Sequence, residues 1–271
     1  MNPERRSIFQ FKYKKVDLVS LQMLSVKVTP LKLTDFMKDY GRILSILNEK
    51  MGMMTDLAPT LEEFERIVGR NPFPRFDKGI HPKRIASALG LDVSEVVANW
   101  DVKGIFSGFS REFLEDQVMK MKKTGNWKAF YDVLVVLVYG IVLFPNIDHS
   151  VDHLAVRIFL FGNHVPFLLA DLHYALHERH EKKGGTLLFC AQLLHAWFRS
   201  HMPEEGPFVS KDLKPSQKLD SLTSGHVKWY IREWETKDII VSIGFIWRKS
   251  LNNVSRRKVI KEKIGGYPSN E

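Results

Sequence analysis

The chain has 271 residues, 44% of them hydrophobic and 26% charged, which supports one large or two small domains with a substantial core and excludes a collagenous, low-complexity or wholly disordered chain. Its single cysteine, Cys190, excludes an internal disulfide framework and a multi-cysteine metal site, and fits a reducing compartment. The formal charge of +9 is uneven: residues 1–15 carry +4 and residues 248–263 carry +6, so the body of the chain is close to neutral.

In chain order, Phe36, Met37, Tyr40, Ile43, Leu44 and Leu47 recur at helical spacing, with Pro30 before them and Gly52 after, and predict one amphipathic helix. Thr60 and Glu63 have the spacing of a capping box, with Leu61, Phe64 and Val68 on the inward side and Gly69 as the stop. Residues 70–82 hold three prolines and a glycine and predict a loop, because proline lacks the amide hydrogen and clashes with the preceding turn. Short helices follow over 83–89 and 93–100, the second opened by Asp92 with Glu95 three residues on. Ser110 is placed to cap a helix carrying Phe113, Leu114, Val118 and Met121, and Gly125 to end it.

Residues 127–144 then read as a buried helix. The longest apolar run, 133–144, has 12 residues, short of the roughly 20 that span a bilayer. After Pro145-Asn146, Val151, Leu154, Ala155, Ile158 and Phe159 predict another helix, turned by Gly162-Asn163. Val165, Leu168, Leu169, Leu172 and Leu176 continue the pattern to the break at 182–185, and residues 187–201 resume it. From 203 onward only 239–243 looks strand-like. The expected fold is mainly α: a multi-helix globular domain with little or no sheet and an irregular C-terminal region.

Eight of the ten histidines fall between 149 and 201. His173, His177 and His180 share a helix face at i, i+4 and i+7 and are the candidate metal ligands. No cysteine or aspartate cluster accompanies them, and no glutamate has the metalloprotease spacing, so the expectation is a wet boundary position and no metal site. Asp148-His149 and Asp152-His153 fall on the outer side of the predicted helix. Lys182-Lys-Gly-Gly-Thr186 precedes apolar residues as an anion-holding helix start would, but lacks the full phosphate-loop spacing and reads more simply as a stop and a cap. Cys190, among Leu187, Leu188, Phe189, Leu193 and Leu194, reads as a buried hydrophobe. Trp229, Tyr230 and Trp234 alternate with Lys228, Arg232 and Glu233, which favours packing over base stacking. Dinucleotide-binding glycines, a nucleophile elbow and an aspartic-protease triplet are absent from the sequence, so the expectation is no catalytic residue, no cofactor and no enzyme. The basic residues Arg256, Arg257, Lys258, Lys261 and Lys263 are the candidates for contact with nucleic acid. The first residues, Met-Asn-Pro-Glu-Arg-Arg, lead into mixed charge, not into the apolar stretch of a signal peptide, and no membrane insertion is expected.

Several blocks run in order along the chain: Asp39-Tyr-Gly-Arg-Ile-Leu44, Leu57-Ala-Pro-Thr-Leu-Glu-Glu-Phe64, Phe130-Tyr-Asp-Val-Leu134, Tyr139-Gly-Ile-Val-Leu-Phe-Pro-Asn-Ile147, Leu169-Ala-Asp171, Lys182-Lys-Gly-Gly185, Leu194-His-Ala-Trp-Phe-Arg-Ser-His201, Trp229-Tyr230 and Asp238-Ile-Ile-Val-Ser242. Together they resemble an uncharacterised plant domain family related to the aminotransferase-like plant mobile domain, from about 33 to 242. The resemblance implies a helical, transposon-associated domain without an established active site, acting through protein partners in the nucleus, with the cytoplasm as the alternative location. The "aminotransferase-like" label does not imply pyridoxal phosphate, and no lysine here has the matching aspartate and phosphate-cup partners. The implied organisation is a basic N-terminal segment (1–31), a plant-mobile-domain-like helical domain (32–242, with the loop 70–82) and a basic C-terminal tail (243–271). The implied function is that of a non-enzymatic protein-interaction module, with nucleic-acid binding through the basic termini as the alternative.

Overall fold

A computed structural model describes residues 11–49, 59, 81–104, 106–182, 184–210, 212–213, 217–218, 221 and 225–228. Outside them lie the predicted helix after Thr60, most of the loop 70–82, the aromatic residues at 229–234 and the apolar stretch 239–243. The chain divides into two compact units, residues 1–51 with 56–194, and residues 52–55 with 195–271. Among the described residues helix dominates and the sheets are small, so the fold is mainly α, as the periodicity indicates.

The first unit is organised around helices whose ends are written in the sequence. Helix α1 (Val19–Ser25) and helix α2 (Pro30–Tyr40) precede a 3-10 turn over Ile43–Asn48. Pro30 is the first helical residue of α2, where its missing amide hydrogen costs nothing. The single helix predicted through Phe36 and Leu47 is interrupted at Gly41, whose backbone (φ 66°, ψ −153°) is open to glycine and strained for other residues. Ile43, Ile46 and Leu47 still reach the core, but from the 3-10 turn.

Helix α3 (Pro82–Leu89) and helix α4 (Val93–Asn99) fall where expected, and α4 carries the capping box of Asp92 and Glu95. Helix α5 (Arg111–Thr124) begins with the Ser110 hydroxyl accepting the Phe113 amide at 3.2 Å and buries Leu114, Val118 and Met121. Gly125 closes it in a left-handed conformation. Helix α6 (Trp127–Val138) follows at once, with Asn126 Oδ1 accepting the Ala129 amide at 3.3 Å. Every residue of α6 from Ala129 on is buried, the arrangement expected when a helix is apolar on all sides. Its continuation, Tyr139–Leu143, widens into a π turn. Gly140 sits there against Val151, and an added Cβ would stand 2.6 Å from that side chain.

Two small sheets were not legible as such. β2 (Trp100–Lys103), β3 (Phe106–Ser110) and β4 (Ser150–Asp152) form an antiparallel sheet in which Phe109 faces Val151 and both are fully buried. β1 (Phe11–Tyr13) pairs in parallel with β5 (Gly185–Leu187). Residue 151, predicted helical, is therefore extended, and helix α7 (His153–Phe161) starts after Asp152, whose Oδ1 accepts the Leu154 amide at 3.2 Å. Gly162 ends α7, and helix α8 (Val165–Glu181) follows. β5 also displaces the start of the next helix, α9 (Ala191–Ser200), from 187 to 191.

The boundary between the units falls inside α9. In the second unit the Trp197 and His201 rings lie 5.1 Å apart, and the His201 carbonyl accepts the Lys228 amide at 2.8 Å. No helix among the described residues is long and apolar enough to cross a membrane.

Candidate functional site

The histidine face of α8 points outward. Leu168, Leu172 and Ala175 are buried, whereas His173 and His177 are exposed, beyond the boundary position expected for them. His180 lies on the same helix, with its side chain outside the described residues. Among the described residues no three histidine, cysteine, aspartate or glutamate side chains converge as metal ligands. The glycines after Lys182 lead into strand β5 and not into a helix, so the anion-holding helix start considered for 182–186 does not form. Cys190 is buried, and burial pushes its thiol up to about 12. His149 is exposed with φ 56°, and His153 lies with Nδ1 2.6 Å from Asp152 Oδ1. Arg256, Arg257, Lys258, Lys261 and Lys263 lie outside the described residues.

Two concave places in the first unit were not foreseen. One is a cleft of about 400 Å³ between α3 and the start of α6, lined by Arg84, Ser87, Gly90, Asn126, Lys128 and Asp132. Gly90 sets its width: φ is +64°, and a Cβ there would lie 2.6 Å from Ala129 Cβ, so the end of α3 can approach α6 only with glycine in place. Asp132 is 5% exposed. Its Oδ2 receives the Lys128 ammonium at 3.0 Å, and its Oδ1 accepts the Tyr40 hydroxyl from α2. Burial first, and the Asp132 carboxylate second, push the Tyr40 hydroxyl far above its ordinary range. The sequence signal was a charged residue inside an all-apolar helix, a position that has to be paired.

The other is an apolar hollow of about 320 Å³ lined by Pro82, Ile85, Val96, Val97, Trp100 and His153. α3 and α4 give its aliphatic wall, β2 gives the indole, and the start of α7 gives the imidazole. Beside it Val97 is 59% exposed and Val93, one turn earlier on α4, is 41% exposed. The amphipathic spacing of α4 reveals those valines; the hollow, drawn from residues 82 to 153, has no local signature.

Three further polar groups, Tyr139, His164 and Asp171, are turned inward on or beside α8. The Tyr139 hydroxyl and His164 Nδ1 are 2.8 Å apart, and burial lowers His164 to about 4 while raising Tyr139. Asp171 shares the inward side with Leu168 and Leu172. Its Oδ2 is buried without a hydrogen-bond partner, and burial raises the carboxyl to about 7.

A protein-family model described as "Domain of unknown function (DUF7745)" matches residues 53–248, most of the chain. Neither the curated proteins nor the solved structures contain a match.

Proposed function

For a chain that belongs to the DUF7745 family, we propose the role of a non-enzymatic helical protein-interaction module, of transposon origin and acting in the nucleus. The observation that carries the interaction role is the apolar hollow between α3, α4 and β2, with Val93 and Val97 exposed at its edge. A hollow of this size with an indole in its wall suits one bulky apolar anchor, and exposed valines a turn apart extend the contact along a helix. The occupant is a partner protein presenting an amphipathic helix with a leucine or phenylalanine at its centre. The transposon origin and the nuclear setting rest on the resemblance of the ordered blocks from Asp39 to Ser242 to the relatives of the plant mobile domain.

Proximity labelling of the full chain in plant nuclei, followed by mass spectrometry, tests this reading when wild type is compared with Val97→Asp. The valine is exposed, so the substitution leaves the melting temperature within about the spread of ordinary surface changes. A set of proteins labelled by wild type and lost with Val97→Asp supports the reading, and equal labelling by both defeats it. A fluorescent fusion held out of the nucleus defeats the nuclear placement alone.

A further inference from the structure

Helices α3 and α4 follow each other as a helix-turn-helix. Only Gly90, Leu91 and Asp92 separate them, and Gly90 turns the chain in the left-handed conformation (φ 64°, ψ 35°), the kind of short glycine turn that joins such pairs. Ile85, Ala86 and Leu89 of α3 and Val96 of α4 are buried. The pair is fixed at two points. Gly90 lies against α6, where a Cβ would meet Ala129 Cβ at 2.6 Å. Trp100, the residue after α4, sets its ring edge-on 4.9 Å from that of the fully buried Phe109, its partner in the β2–β3 hairpin.

The second helix keeps one side clear of the fold. Val93, Ser94, Val97 and Ala98 are exposed and, at 100° per residue, share one arc of about 140°. On the Glu95 side of that arc stands α5, whose Lys120 Nζ meets Glu95 Oε1 at 2.7 Å. Lys123, three residues further along α5, is exposed, as is Lys83 in the first turn of α3. Neither of these two ammonium groups has a hydrogen bond or an ion pair among the described residues. The carboxylates at the start of α4 are committed, because Asp92 caps the helix and Glu95 receives Lys120. A rigid helix with short exposed side chains and free lysines near it matches the major groove of B-form DNA, which admits an α-helix. Methyl-bearing side chains meet thymine methyl groups there, serine serves any base edge, and lysines meet phosphates. The deep, narrow major groove of double-stranded RNA does not admit the helix.

We propose that α3 and α4 bind double-stranded DNA, with α4 in the major groove of a thymine-containing site and Lys83 and Lys123 on the flanking phosphates. This goes beyond the protein contact at the hollow and does not require it; the two surfaces share Val93 and Val97, so a duplex and a helical partner exclude each other.

Selection from a random duplex library with the purified full chain, followed by fluorescence anisotropy on the recovered sequence, tests the proposal. The expected result is a thymine-containing sequence bound about tenfold more tightly than a scrambled duplex or the same sequence as double-stranded RNA. Ser94→Glu places a carboxylate against the groove at an exposed first-turn position where acidic residues suit a helix, so it abolishes the preference without lowering Tm. Ala98→Glu, one turn on, does the same. Lys123→Gln weakens binding to every duplex and lowers the slope of log affinity against log salt by about 1. Basic termini bind DNA without reading sequence. Failure to recover a preferred sequence, or a preference that both Ser94→Glu and Ala98→Glu leave intact, therefore overturns the proposal. No partner protein is present in these measurements, so their outcome is separate from that of the Val97→Asp labelling comparison.

Discussion

Helices α6 and α8 each carry one aspartate turned into an apolar face, and the two are treated in opposite ways. Asp132 meets the Lys128 ammonium from the preceding turn of its own helix and the Tyr40 hydroxyl brought over by α2. Asp171 meets no hydrogen-bond partner at Oδ2, and its carboxyl is raised to about 7. Asp132 is thus matched by one donor from its own helix and one from α2, whereas Asp171 Oδ2 is left with none. The same residue type in the same kind of position is a strut in one helix and a burden in the other.

The strongest way to break that contrast is Asp171→Asn. The folded pKa lies above the ordinary value, so folding is favoured while the group is protonated and loses stability as pH rises from about 4 through 7. Removing the charge returns on the order of 3 kcal/mol above pH 7 and almost nothing at pH 4. Thermal melts at both pH values check it; a variant less stable than wild type at pH 8 contradicts the burden assigned to Asp171.

His164 gives the opposite slope. Its folded pKa of about 4 lies below its ordinary 6.5, so the unfolded chain takes up the proton first and stability falls as pH drops from about 6.5 to 4, by about 3 kcal/mol. Over that interval the Asp171 and His164 contributions oppose each other. Wild type is accordingly flatter than Asp171→Asn, which exposes the His164 decline in urea titrations run across that range.

Asp132→Asn is next, with a loss of about 2 kcal/mol at neutral pH, since it weakens the contacts from Tyr40 and Lys128 together. Its sign is opposite to that of Asp171→Asn, and equal signs erase the distinction between the two helices. The smallest effect belongs to Leu31→Ser on α2, within about 0.5 kcal/mol, because that leucine is 89% exposed.

The helix α2 also shows how much was legible. Its proline start and the inward place of Phe36 were visible, but not their partners: the fully buried Phe36 ring lies 5.4 Å from that of Tyr131, and Lys32 stands 3.1 Å over the Trp127 ring. Caps and stops, from Asp92 and Ser110 to Gly125 and Gly162, could be read because each depends on a few adjacent residues. The strands could not: three to five residues give too little alternation, and their pairing joins segments distant in sequence. Gly41 was missed because a glycine between two apolar stretches is compatible with a continuous helix until its positive φ is seen. At the candidate sites, the charge inside α6 was a readable sign, whereas the cleft and the hollow exist only once α3 has been laid against later helices and strands.

The parallel pair of β1 with β5 sets Phe11 beside Gly185. That ladder waits for 174 residues of synthesis, from Phe11 to Gly185, before its second half exists. During translation the early strand must stay soluble without its mate, and Lys12, Lys14 and Lys15, positioned in and just after it, are the kind of charge that keeps an unmated edge from joining a neighbouring nascent chain.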